Sequence, residues 1–275
     1  MSYATLMVNL DFGHSNAALL QAAGDLAERF QASVIGVAAR QPLQPVYGEG
    51  FVSGEVAEQD RAQLEQEARD AEAQFRKALH KRAQSLEWRS TEVFAPLADH
   101  LAREARGADL VLTGASSGAL FDVPRGLNTG DLVMRAGRPV LIVPASATGL
   151  RLDRVVIGWK ETRETRRATA DALPLLRKAS YVAVVEIAAE AELAGARTHL
   201  ADVLGWLRRH GVTAESIAAR SNGNDASRLL AIAQEQRAEI LVAGAYGHSR
   251  LREWVLGGVT RDLLLRGDLC TLVSH

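Results

Sequence analysis

Residues 238–245 read AEILVAGA, and residues 108–115 read ADLVLTGA. The two stretches align at an offset of 130 residues, and a helical pattern precedes each: LADHLAREARG (97–107) and ASRLLAIAQEQR (226–237). Upstream, LMVNLDFGHSNAALLQAAGDLAERFQASVIGVAA (6–39) resembles VVIGWKETRETRRATADALPLLRKASYVAVVEIAA (155–189), now at an offset of 149, which sets Asp11 against Lys160. Downstream, RGLNTGDLVMRAG (125–137) pairs with LGGVTRDLLLRGD (256–268) at 131. Self-similarity of this kind means one structural unit used twice. The change of offset assigns about 19 extra residues to the first copy. The Pro- and Gly-rich stretch QPLQPVYGEGFVSGE (41–55) reads as their loop, ahead of a long helix.

Within each copy the pattern alternates. Leu6–Leu10, Val34–Ala38, Leu110–Thr113 and Val140–Val143 are short apolar runs of strand type. Between such runs lie helical stripes, Leu64, Ala68, Ala71, Phe75 and Ala78 in one copy, Leu193, Leu200, Val203, Leu204 and Leu207 in the other. Asp225 is expected to cap a helix starting at Ala226, and Gly211 to end one. Strands that are apolar throughout belong to parallel sheets covered on both faces. The expected fold is therefore α/β: two tandem, doubly wound domains of about five parallel strands each. The small-residue run ASATGL (145–150) is the expected join, giving domains of residues 1–147 and 150–275.

Composition narrows the function. The 275 residues are 47% apolar and 24% charged, with a net charge of −1. That balance argues against a nucleic-acid partner, which would need a basic field. No apolar run approaches the ~20 residues that cross a bilayer, so no membrane partner is expected. The N-terminus lacks the basic start of a secretory signal. One cysteine, Cys270, excludes an internal disulfide and suits a reducing, cytoplasmic setting.

Ligands of open parallel sheets bind beyond the carboxyl ends of the strands, near the point where strand order reverses. The strand Ile240–Ala243 runs straight into Gly244-Ala-Tyr-Gly247, then nine residues, then Gly257-Gly258-Val259-Thr260. Glycines there permit close backbone approach, and successive N–H groups ahead of a helix form an anion site. Tight turns alone would also use such glycines.

These residues resemble the universal stress proteins in their tandem form. Nucleotide-binding members of that family carry G-x2-G-x9-G-[ST] after the fourth strand of a Rossmann-like, adenine nucleotide alpha hydrolase-like domain. The resemblance implies ATP, carried with Mg, in the second copy, with its base near Ile187. The first strand's end would lie at Gly158 and Lys160, and the phosphates at Gly244, Gly247, Gly257, Gly258, Val259 and Thr260. Two departures stand out: Gly258 replaces a hydroxyl residue, and Lys160 replaces the family's acid. The ammonium either pairs with a phosphate or spoils the usual geometry; the charge of a polyanion favours the first. The first copy keeps its acid, Asp11, but its loop, Gly114 to Gly118 and then Gly126-Leu127-Asn128-Thr129, is one residue short and carries the bulky Leu127. It reads as a degenerate site. Family members pair through their terminal strands, which implies an intramolecular pseudo-dimer, with homodimerisation left open.

Rival motifs are weaker. Gly114-Ala-Ser116-Ser-Gly118 matches a nucleophile elbow, but Pro124 follows soon after and no helix starts at once. Seven scattered histidines give no metal-ligand spacing. With no general base or nucleophile in position, binding and signalling are expected rather than turnover, with slow ATP hydrolysis at most. A scaffold that has lost its nucleotide, and a serine hydrolase using Ser116, are the alternatives.

Overall fold

In a computed structural model of the chain, the structure describes residues 2–12, 14–43, 54–115, 126–245 and 269–275. The first half runs β1 (Thr5–Asn9), α1 (Ala17–Phe30), β2 (Ser33–Arg40), α2 (Gly54–Leu79), β3 (Leu86–Glu92), α3 (Leu97–Glu104), β4 (Leu110–Gly114), α4 (Thr129–Ala136) and β5 (Val140–Val143). The second half repeats the order. Its elements are β6 (Arg154–Trp159), α5 (Arg163–Asp171), α6 (Leu173–Leu176), β7 (Tyr181–Ala188), α7 (Leu193–Arg209), β8 (Glu215–Arg220), α8 (Asp225–Glu235), β9 (Ile240–Gly244) and β10 (Cys270–Ser274).

The ten strands form one sheet in the order β3-β2-β1-β4-β5-β10-β9-β6-β7-β8. Every pair is parallel except β5 with β10, the last strand of each half, which run antiparallel with Leu141 opposite Leu272. In both halves the order reverses after the first strand. The resulting switch points lie between β1 and β4 and between β6 and β9.

The central strands are buried along their whole length, as their apolar runs require. On one face, a single core joins Leu6, Leu20, Leu26 and Phe75 of the first half to Ile157, Leu176, Leu200 and Leu272 of the second. Each such side chain contributes roughly 1.5–3 kcal/mol on burial. The other face holds two separate clusters, one under α3 and α4 and one under α8. Polar ties reinforce the shared core: the Tyr3 hydroxyl donates to the Asp171 carbonyl at 2.6 Å, and Leu150 N donates to Asp25 Oδ2 at 2.6 Å.

Several local expectations are met and others are corrected. Gly211 sits past α7 at φ +78°, a left-handed conformation that suits glycine. The cap of α8 is Asn224, whose Oδ1 accepts from Ser227 N, so the helix includes Asp225. The long helix α2 begins at Gly54, inside the stretch read as loop. Where α1 runs unbroken for 14 residues, its counterpart splits into α5 and α6 at Ala172, because Pro174 cannot continue a hydrogen-bonded helix.

Candidate functional site

The two switch points can be compared residue by residue. At the second, Gly158 of β6 lies in register with Ala243 of β9, so two minimal residues face each other across the reversal. The apolar Leu229 of α8 covers Gly158: a Cβ there would lie 2.6 Å from Leu229 Cδ2. Ile187, half-buried at the end of β7, packs on the same apolar cluster as Leu229 and Ala243. Lys160 stands exposed just beyond β6. Four sequence-predicted residues, Gly158, Lys160, Ile187 and Gly244, thus meet at the carboxyl ends of adjacent strands. The other five, Gly247, Gly257, Gly258, Val259 and Thr260, lie outside the described residues, as does Ser116.

Gly244 has a second role that its place in the loop did not announce. A Cβ on it would sit 2.4 Å from Thr165 N and 2.6 Å from the Glu164 carbonyl carbon. The first turn of α5 therefore packs directly on the glycine backbone. Thr162 caps that helix by accepting from Thr165 N at 3.3 Å. Glu164 is buried beside it; burial pushes its carboxyl up, but the hydrogen bonds from Arg163, its own N–H and Thr162 outweigh this and hold it below the usual range.

The first switch point is built differently. Asn9 and Thr113 take the places of Gly158 and Ala243, and both are buried. Asn9 Nδ2 donates to Thr113 Oγ1 at 3.4 Å, bridging β1 and β4 with side chains. Asn16 holds the following turn through both its amide groups, accepting from Asp11 N at 3.1 Å and donating to Asp11 O at 2.9 Å. Asp11 itself is exposed; partial desolvation raises its carboxyl, although the His14 ring at 3.5 Å and the Phe12 N–H pull it the other way. No described atom lies within 4 Å of a Cβ built on Gly114.

The profile of the Universal stress protein family matches residues 2–144. The chain belongs to that family. Its whole length superposes on a universal stress protein from Archaeoglobus fulgidus DSM 4304 with a TM-score of 0.75 and 12% identity, covering 98% of both chains. A functionally unknown protein from Pseudomonas aeruginosa PAO1 gives a TM-score of 0.62 at 14% identity, covering 99% of this chain and 92% of that one. At such identities the likeness speaks for the fold. No curated protein matched the sequence.

Beside the glycines, this universal stress protein places a polar cluster that sequence reasoning missed. Trp159 and Glu186 are neighbours in register on β6 and β7, and both are buried. His199 Nδ1 of α7 lies 3.1 Å from Glu186 Oε1. That hydrogen bond, opposed by partial desolvation and helped by the charges of Glu186, Glu161 and Asp202, raises the imidazole above its ordinary value. The first half carries Leu10 at the position of Trp159 and, by strand register, Ala38 at that of Glu186, so the charged residue inside an otherwise apolar strand was the available signal. Elsewhere, Cys270 is buried with its thiol pushed up to about 11, an inert core group. Among the described residues no cluster of His, Cys, Asp or Glu is arranged to hold a metal ion, and no helix is long and apolar enough to cross a membrane.

Proposed function

We propose that this universal stress protein is a regulator that binds an adenine nucleotide, ATP, at the switch point of its second half. Residues 1–147 and 150–275 act as paired domains, of which the first is a structural partner. The observation that carries the reading is the contrast between the two switch points: Gly158 and Ala243 place no polar side chain where Asn9 and Thr113 bridge the first half, and the apolar Leu229 covers the glycine instead. Ligands of parallel sheets bind at that reversal. In the sequence, Gly247 and Gly257 to Thr260 follow β9 with the spacing that suits a phosphate chain.

Each group has a part in this reading. Ile187 and Leu229 offer an apolar wall to the base. Lys160 supplies a point charge to the phosphates. Gly244 lets α5 close against the strand end and so fixes the floor of the crevice. Nothing in the cluster acts as a nucleophile, which favours binding over turnover. The chain works in a reducing, cytoplasmic setting, as a lone buried thiol suits.

Titration of ATP into the purified chain, followed by tryptophan fluorescence and by calorimetry, tests this. Trp159 at the tip of β6 should report occupancy. Absence of both signals would overturn the reading in favour of a scaffold that has lost its nucleotide.

A further inference from the structure

Magnesium, which the family resemblance brings with ATP, does not fit the strand tips of the second half. A magnesium ion held beside a phosphate chain takes oxygen ligands, commonly one or two carboxylates of the protein. In the first half Asp11 stands exposed just beyond β1, with a carboxylate to offer. At the corresponding place beyond β6 stands Lys160, also exposed. Its carbonyl accepts from Thr162 N at 2.7 Å, which holds it on a tight turn between β6 and the residue that caps α5. Residues 160–166 carry three cations, Lys160, Arg163 and Arg166, against Glu161 and Glu164, a net charge of +1. The matching residues 11–17 carry Asp11 alone, a net −1 with His14 neutral.

The carboxylates that could stand in for Asp11 are already engaged. Glu161 lies 3.5 Å from Arg166 Nη1. Glu164 is buried and held by Arg163 and by its own N–H. Glu186 is buried toward α7, where His199 holds it. Asp225 begins α8, which packs on β7 at the side assigned to the base, and it accepts from Ser221 Oγ at 2.5 Å. Lys160, by contrast, forms no ion pair among the described residues. The N-terminus of α5 adds its positive end at the same tips, with its first turn resting on Gly244. We propose that the second switch point takes the triphosphate free of metal, the Lys160 ammonium supplying the countercharge that magnesium would otherwise bring. The inference rests on the nucleotide reading above and adds to it the ionic form of the ligand. Metal-free ATP carries more negative charge than its magnesium complex, so a fixed cation favours it and repels a divalent ion carried in with the phosphates.

Calorimetric titration of ATP into the purified chain, once in EDTA and once in excess magnesium, tests this. The wild-type chain is expected to bind at least about tenfold more tightly in EDTA, the worth of one charge-assisted contact. Lys160→Gln should weaken binding in EDTA by about the same factor and flatten the difference between the two conditions. Lys160→Asp restores the first half's acid and should reverse the preference, binding ATP more tightly in magnesium. Lys160 is exposed, so both variants are expected to melt as the wild type does. Equal or tighter wild-type binding in magnesium would overturn the inference and leave the nucleotide reading standing. A Lys160→Gln or Lys160→Asp chain that keeps the wild-type preference would do the same. Wild-type binding in neither condition would overturn both.

Discussion

The two switch points of this protein share one backbone plan and differ in what fills them. In the first, Asn9 and Thr113 bridge β1 and β4 with buried side chains. In the second, Gly158 faces Ala243 and the apolar Leu229 covers the glycine. The glycines that end β4 and β9 differ as well: Gly114 has no described atom near its missing Cβ, whereas Gly244 carries the first turn of α5. The two halves keep one strand order and differ at the strand tips, besides the extra chain of the first half and the split of α5 from α6 in the second. A fold tolerates such change because the apolar strand interiors, not the tips, supply most of the burial.

The sharpest way to break the comparison is at these glycines. Gly244→Val forces a side chain into the α5 backbone, which cannot yield as a flexible side chain would. We expect a loss of roughly 3 kcal/mol, read as a drop in Tm or in denaturant midpoint. Gly114→Ala should cost less than about 1 kcal/mol. Equal losses would show that the two glycines do the same job. Next in size, Gly158→Asn combined with Ala243→Thr installs the first half's bridge in the second. ATP affinity measured by calorimetry should fall at least about tenfold, the loss of one good contact, while the melting curve confirms a folded chain. Removing the bridge from the first half is smaller: Thr113→Ala leaves the Asn9 amide unsatisfied and should cost about 1 kcal/mol in chemical denaturation.

The smallest effect is one of pH. The folded pKa of His199 is raised, so its pairing with Glu186 contributes stability that is full below the ordinary imidazole value of 6.5 and lost as pH rises through the raised value. The Tm difference between wild type and His199→Gln should therefore shrink as the pH is raised through that window. Nuclear magnetic resonance titration should also place the His199 pKa lower in Glu186→Gln. An unchanged value would mean that the hydrogen bond is not its cause.

Much of this architecture was legible in the sequence, for identifiable reasons. The repeat at residues 108–115 and 238–245 marks two buried strands, because only parallel strands covered on both faces are apolar throughout. Gly211 was readable as a helix end because its left-handed conformation leaves few other choices. Other features depend on contacts between distant residues. That all ten strands form one sheet follows from the meeting of Val140–Ile142 with Thr271–Val273, which no local pattern encodes. The cap of α8 falls on Asn224 rather than Asp225 because both residues can cap and the turn geometry decides between them. The contact of Gly244 with α5 and the meeting of Glu186 with His199 were likewise invisible until tertiary packing brought them together.

The most direct test of the central claim, one working site in the second half, is calorimetric titration of ATP into three chains: wild type, Gly158→Asn and Asp11→Asn. The account predicts one ATP per wild-type chain, weakened by Gly158→Asn and indifferent to Asp11→Asn. Two ATP per chain, or binding that survives Gly158→Asn and disappears with Asp11→Asn, would contradict it.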